Sequence, residues 1–163
     1  MSNEEEGKKV KALMVDDNED LLELVEIFFE RDRPNIDLDL TSSGEEALEM
    51  VEEGAYDVIV SDYDMPVVSG LDFLEGIRSE GIDTPFIILT GKGQEEVAME
   101  ALNKGANKYH KKSQNVASGF DDLADSMLEE AKRAKSESEL KTFQNWIKGS
   151  MGSESDEDED KLI

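Results

Sequence analysis

Short apolar runs alternate with stretches of helical periodicity along most of this chain, and that alternation constrains its fold more than any other feature. Val10 to Val15 reads as a strand, and Asn18 to Arg31 as a helix with Leu21, Leu22, Leu24, Val25, Phe28 and Phe29 inward, ended by Pro34. Ile36 to Leu40 is a weaker, alternating strand. Ser42-x-x-Glu45 and Ser43-x-x-Glu46 both fit a capping box, opening a helix through Ala47, Leu48 and Val51 that Gly54 can end. Val58-Ile59-Val60 is a fully apolar strand, and Ser69 to Ser79 a helix stopped by Gly81. Phe86 to Leu89 is a buried strand introduced by Pro85. Gln94 to Lys104 is a helix stopped by Gly105, and Lys108 to Lys111 completes the strand pattern despite a composition poor for one. The last helix starts at Val116, with Phe120, Leu123, Ala124, Met127, Leu128 and Ala131 at helical spacing. The order βαβαβαβαβα implies a parallel sheet covered by helices on both faces, and right-handed crossovers make it doubly wound.

Such a sheet presents the carboxyl ends of all its strands at one edge, where open α/β folds bind ligands. Asp16 and Asp17 follow the first strand, Asp62 the third, Thr90 ends the fourth, and Lys112 follows the fifth. Topology therefore gathers carboxylates, a hydroxyl and an ammonium. Clustered carboxylates repel, and left alone at least one holds a proton. Mg²⁺ resolves the conflict, since it takes hard oxygen ligands. One carboxylate can then attack phosphorus, with the metal and Lys112 neutralising the transferring oxygens. Taken singly these residues have plainer readings: Asp17 or Asn18 as a helix cap, Lys112 as a surface lysine. Their joint placement at four strand ends is what carries the chemistry.

Composition narrows the rest. There is no Cys, so disulfide, iron–sulfur and thiol chemistry are excluded. Apolar runs such as Phe86-Ile87-Ile88-Leu89 are far shorter than the roughly 20 residues a membrane span needs. The N-terminus is polar and acidic, unlike a secretory signal, so a cytoplasmic location with no membrane contact is expected. The net charge is −24, with 41 acids against 17 Lys and Arg. Such a surface repels phosphates, so nucleic acid is not an expected partner. It serves solubility, or adaptation to a salt-rich cytoplasm that screens self-repulsion. The organisation read from these features is an acidic arm over 1–8, a domain over 9–135, a short amphipathic helix over 136–148 and a disordered acidic tail over 149–163. Leu140, Phe143, Trp146 and Ile147 suit either a docking helix or an extension packed on the domain.

The segments Leu13-Met14-Val15-Asp16-Asp17, Asp62-Tyr63-Asp64-Met65-Pro66 with Gly70, Ile88-Leu89-Thr90-Gly91, and Gly105-Ala106-x-x-Tyr109-x-x-Lys112 resemble the CheY-like receiver family in order and spacing over roughly residues 8–130. Thr90-Gly91-Lys92-Gly93 with Glu95-Glu96-Val97 looks like archaeal receivers. The resemblance implies a flavodoxin-like five-stranded sheet of order 2-1-3-4-5. It implies Asp62 as phosphoacceptor, with Mg²⁺ or Mn²⁺ held by Asp16, Asp17, Asp62 and the backbone carbonyl of Asp64. Lys112 and Thr90 would contact the phosphoryl group, and Thr90 with Tyr109 would form a switch pair. A histidine kinase would donate the phosphoryl group. A downstream protein would read the face formed by the fourth helix, fifth strand and fifth helix.

The chain departs from the family in two places. Ser113 stands where a proline usually follows the lysine, and His110 and Lys111 occupy a normally apolar strand, leaving Lys111 as a rival for the active lysine. Asp64 and Lys92 flank the site, where such positions tune phosphoryl lifetime in the family. Two other functions compete: a protein-binding module that keeps the fold without phosphorylation, and a small phosphatase of the haloacid-dehalogenase type, for which Asp62-x-Asp64 meets the minimum motif.

Overall fold

The structure, a computed structural model, describes residues 8–91, 93–113 and 115–162, with side chains as far as Met151. The strands are β1 Val10–Val15, β2 Ile36–Thr41, β3 Val58–Asp62, β4 Phe86–Thr90 and β5 Lys108–Lys111. The helices are α1 Glu19–Asp32, α2 Gly44–Glu53, α3 Gly70–Ser79, α4 Glu95–Asn103 and α5 Val116–Leu162. All neighbouring strands pair in parallel, in the order β2-β1-β3-β4-β5. The expected fold class and strand order are therefore observed. Residues 1–7, and with them nearly all of the expected arm, lie outside the described residues, as does Lys92.

Alternation along the central strands divides the core in two. Met14, Val60 and Leu89 face α1 and α5, where they meet Val25, Phe29 and Met127. Val15, Ile59 and Ile88 face the other layer, where Phe73 and Ile77 of α3 and Ala101 of α4 cover them. Phe29, Phe73 and Phe86 are nearly or wholly buried, each stabilising the fold by about 2–3 kcal/mol relative to exposure.

The helix starts follow local chemistry. Asn18 caps α1 by accepting the Leu21 N–H, and Ser43, the second of the two candidate serines, caps α2 by accepting the Glu46 N–H. The Glu46 carboxylate does not return to its cap; it accepts from the Thr41 hydroxyl at 3.0 Å. A full capping box opens α3 through Ser69 and Asp72. Gly81, at φ +80, ends α3 with the Ile82 N–H donating to Ile77 O.

Three differences from the sequence reading have physical causes. Leu24 is 51% exposed, because α1 carries more apolar residues than one stripe holds. Leu22, Val25 and Phe29 occupy the inward face, and Leu24 lies about 200° from Leu22 around the helix. The polar composition of β5 suits its position as the edge strand, with Lys111 exposed and Lys108 half-buried. The third concerns α5. The first compact unit closes at Ala131 and a second begins at Lys132, yet the helix runs on through 136–148 and 149–162, where a separate short helix and an unstructured tail were expected. No proline follows Pro85, and extending an existing helix avoids the cost of nucleation. Leu140, Phe143, Trp146 and Met151 are exposed, with the Phe143 and Trp146 rings stacked. No described helix is long and apolar enough to cross a membrane.

One loop holds backbone strain. Val67 has φ 67 and is 86% exposed, and the Val68 N–H donates to Pro66 O at 2.8 Å, closing a tight three-residue turn. A β-branched residue is costly at positive φ, by about 1–3 kcal/mol. Glycine removes that strain and loses almost no packing here, though it raises the entropy of the unfolded chain. Val67→Gly is expected to gain about 1 kcal/mol in urea denaturation; an unchanged or lower midpoint would count against stored strain in this turn.

Candidate cation and phosphoryl site

Parallel topology delivers the expected residues to one edge. Asp16 follows β1, and its Oδ1 accepts the Asn18 N–H at 3.0 Å. Because Asn18 takes the capping role, Asp17 is not used as a cap and stays exposed at the site. Asp62 ends β3 and is 6% exposed. Asp16, Asp17 and Asp62 each place a carboxylate oxygen within 4.8 Å of the other two. Asp64 and Lys112 line the same open pocket, as do Asn18, Gly91 and Gln94.

Lys112 lies one residue past β5 and is tied to β4 through its N–H, which donates to Thr90 O at 2.9 Å. Its Nζ reaches Asp16 Oδ2 at 2.9 Å and Asp62 Oδ1 at 3.1 Å. Lys111 instead pairs with Glu95 at 3.2 Å. Of the two lysines, Lys112 is the one that reaches the acidic cluster.

The electrostatics leave the pocket short of positive charge. Burial first, then the neighbouring Asp16 charge, pushes the Asp62 carboxyl up to about 6, against the pull of Lys112. Burial pulls the Lys112 ammonium down, but Asp16 and Asp62 outweigh it and hold it above its usual range. Asp16 is fully buried, and its Oδ2 has no aligned hydrogen-bond donor although Lys112 lies close. A buried carboxylate oxygen in that condition is costly. A small hard cation on Asp16, Asp17 and Asp62 would relieve it, so the donor set fits Mg²⁺ or Mn²⁺.

Thr90 and Tyr109 stand apart from the pocket wall. Thr90 is buried at the end of β4, while Tyr109 is 41% exposed. Ile88 pairs with Tyr109 and Thr90 with Lys111, so Thr90 and Tyr109 share the sheet face covered by α4, one rung apart. The sequence reading missed Gln94 and the Gly91 backbone as parts of the site. The available signal was their position between the end of β4 and the start of α4.

A doubly wound sheet of order β2-β1-β3-β4-β5 with an acidic, lysine-bridged pocket at its carboxyl edge defines a flavodoxin-like α/β protein. The profile of the response regulator receiver domain family matches residues 12–122, and the chain belongs to that family of two-component signalling domains. The response regulator SaeR of Staphylococcus aureus is 36% identical over 100 residues, which cover 61% of this chain and 42% of SaeR. The chain therefore spans less than half the length of that relative. Among solved structures, the receiver domain of Francisella response regulator 1452 superposes with a TM-score of 0.68 at 31% identity, covering 77% of this chain and 99% of that one. A response regulator receiver domain protein of Clostridium thermocellum does so with a TM-score of 0.68 at 30% identity, covering 77% and 97%. These are bacterial proteins, and they lend no support to the archaeal likeness of the Thr90–Val97 segment. Family membership takes the place of the phosphatase alternative.

Proposed function

We propose that this domain accepts a phosphoryl group on Asp62 and signals through the change that follows. The observation that carries the reading is the Lys112 ammonium bridging buried Asp16 and Asp62, with Asp17 completing the acidic cluster. Asp16, Asp17 and Asp62, with the Asp64 carbonyl, would hold Mg²⁺ or Mn²⁺. The ion would supply charge neutralisation for phosphoryl oxygens. An Asp62 carboxylate oxygen bonds to phosphorus as the bond to the donor breaks, and the leaving group departs with its electron pair. Lys112 stabilises the transferring oxygens, and the Thr90 hydroxyl donates to the bound phosphoryl group. Thr90 moving toward the site frees space on the face it shares with Tyr109, and Tyr109 turning inward reshapes the surface of α4, β5 and the start of α5.

A histidine kinase is the proposed donor, and a protein partner reads the altered face. The acidic surface disfavours nucleic acid and anionic membranes as partners, and a cytoplasmic setting fits the absence of cysteine. The domain itself has no proposed turnover beyond gaining and losing its own phosphoryl group. Incubation with acetyl phosphate and Mg²⁺, read by intact mass, is expected to add one phosphoryl group to the wild-type chain and none to Asp62→Asn. An adduct on the Asn variant, or none on the wild type, would leave the unphosphorylated binding module as the better account.

A further inference from the structure

Gln94 occupies the N-cap position of α4, yet its side chain does not cap that helix. It turns back toward β4: Gln94 Oε1 accepts the Gly91 N–H, while the Gln94 N–H donates to Gly91 O at 3.4 Å. Both residues line the pocket that holds Asp62 and Lys112. Gly91 follows the last residue of β4, and β4 pairs directly with β3, with Asp62 opposite Leu89. Its amide is thus a fixed backbone donor at the wall of a pocket where new negative charge would appear. Oriented N–H groups at such places stabilise oxyanions, provided that nothing else occupies them.

We infer that Gln94 masks this donor in the resting protein: its side-chain oxygen holds the Gly91 N–H, and must release it before a phosphoryl group on Asp62 can use it. The inference rests on the reading of Asp62 as phosphoacceptor. Gln94 is then a positioning residue that biases the domain toward the unmodified state. A competing acceptor of this kind weakens binding of the anion by roughly the worth of one neutral hydrogen bond, about fivefold. The side-chain amide of Gln94 could act in the opposite sense by swinging round to donate to the phosphoryl group, and removing it would then weaken binding.

The test uses the full chain, with beryllofluoride and Mg²⁺ as the phosphoryl mimic in titration calorimetry. Gln94→Met keeps the length of the side chain and removes the acceptor, Gln94→Ala removes both, and Gln94→Glu keeps the acceptor. Thermal melts establish that each variant is folded. Beryllofluoride is expected to bind Gln94→Met and Gln94→Ala about fivefold more tightly than wild type. In the metal-free protein, the Gly91 amide should exchange with deuterium faster in those two variants and not in Gln94→Glu. Tighter binding by Gln94→Ala alone would make the effect one of bulk and overturn the masking hydrogen bond. Equal or weaker binding by Gln94→Met would overturn it as well. If neither wild type nor any variant takes up beryllofluoride, the Asp62 reading itself falls and the inference with it, an outcome distinct from three equal affinities.

Discussion

Asp62→Asn is expected to make the metal-free protein more stable at neutral pH, by about 2 kcal/mol, while removing its response to Mg²⁺. Asp62 is 6% exposed, and burial with the neighbouring Asp16 charge pushes its carboxyl up to about 6 in the folded chain, against an ordinary value of 3.8. A folded value above the unfolded one means that the native state binds the proton more tightly. Between pH 3.8 and about 6 the unfolded chain carries fewer protons than the native one, so this group's contribution to stability falls as pH rises. Above that window the native protein bears the full cost of an ionised carboxylate beside Asp16, about 2–3 kcal/mol. An amide of the same shape carries no such charge and leaves the Lys112–Asp16 contact in place.

The same variant loses one of three carboxylates in the cluster. Wild type in Mg²⁺ at a hundredfold excess over its dissociation constant should gain about 2.7 kcal/mol, and Asp62→Asn should gain little. The order of stability therefore reverses between chelator and saturating Mg²⁺. Urea titrations at several pH values, with and without the ion, read both effects. A metal-free Asn variant no more stable than wild type would mean that Asp62 carries no strain, and an undiminished Mg²⁺ gain would place the ion elsewhere.

Much of this was legible in the sequence because the signals were periodic and local. Val58-Ile59-Val60 and Phe86 to Leu89 cannot be satisfied except by burial on both faces, and that alone forces helices onto both sides of the sheet. Once the strands are parallel, Asp16, Asp17, Asp62 and Lys112 have nowhere to go but one edge. What the sequence left open depended on choices that periodicity does not make. Whether Asp17 or Asn18 caps α1 is settled by which side chain reaches the Leu21 N–H, and Asn18 does. Lys111 and Lys112 are chemically alike, and only the register of β5 against β4 sends one to Glu95 and the other to Asp62. Gln94 reads as one more residue at a helix start, and its return to Gly91 is a side-chain contact no spacing rule encodes. The strain at Val67 was equally silent, since a Pro-Val-Val run does not announce a positive φ.

Gly70→Ala is expected to be the most damaging single methyl in the domain, and the reason is steric rather than conformational. A Cβ at Gly70 would stand 2.3 Å from Asp62 O, 2.9 Å from Tyr63 Cα and 2.8 Å from Ile88 Cδ1. The tip of Ile88 can shift, but the first two are backbone atoms at the end of β3. The Gly70 N–H also donates to Tyr63 O at 2.9 Å, pinning the start of α3 under that strand end. The methyl must push α3 and β3 apart, at a cost of about 3 kcal/mol, the upper end of overpacking. Gly81 supplies the control: it has φ +80 but nothing within 4 Å of a Cβ, so Gly81→Ala should lose only about 1 kcal/mol from its backbone conformation. In a chain of this size those losses correspond to melting shifts of roughly 6–12 °C and 2–4 °C. Because the displaced strand end carries Asp62, Gly70→Ala should also weaken the Mg²⁺-dependent gain in stability, whereas Gly81→Ala should leave it intact. If the two alanine variants melt together, or both keep the full Mg²⁺ response, then the close approach of α3 does not fix the position of Asp62.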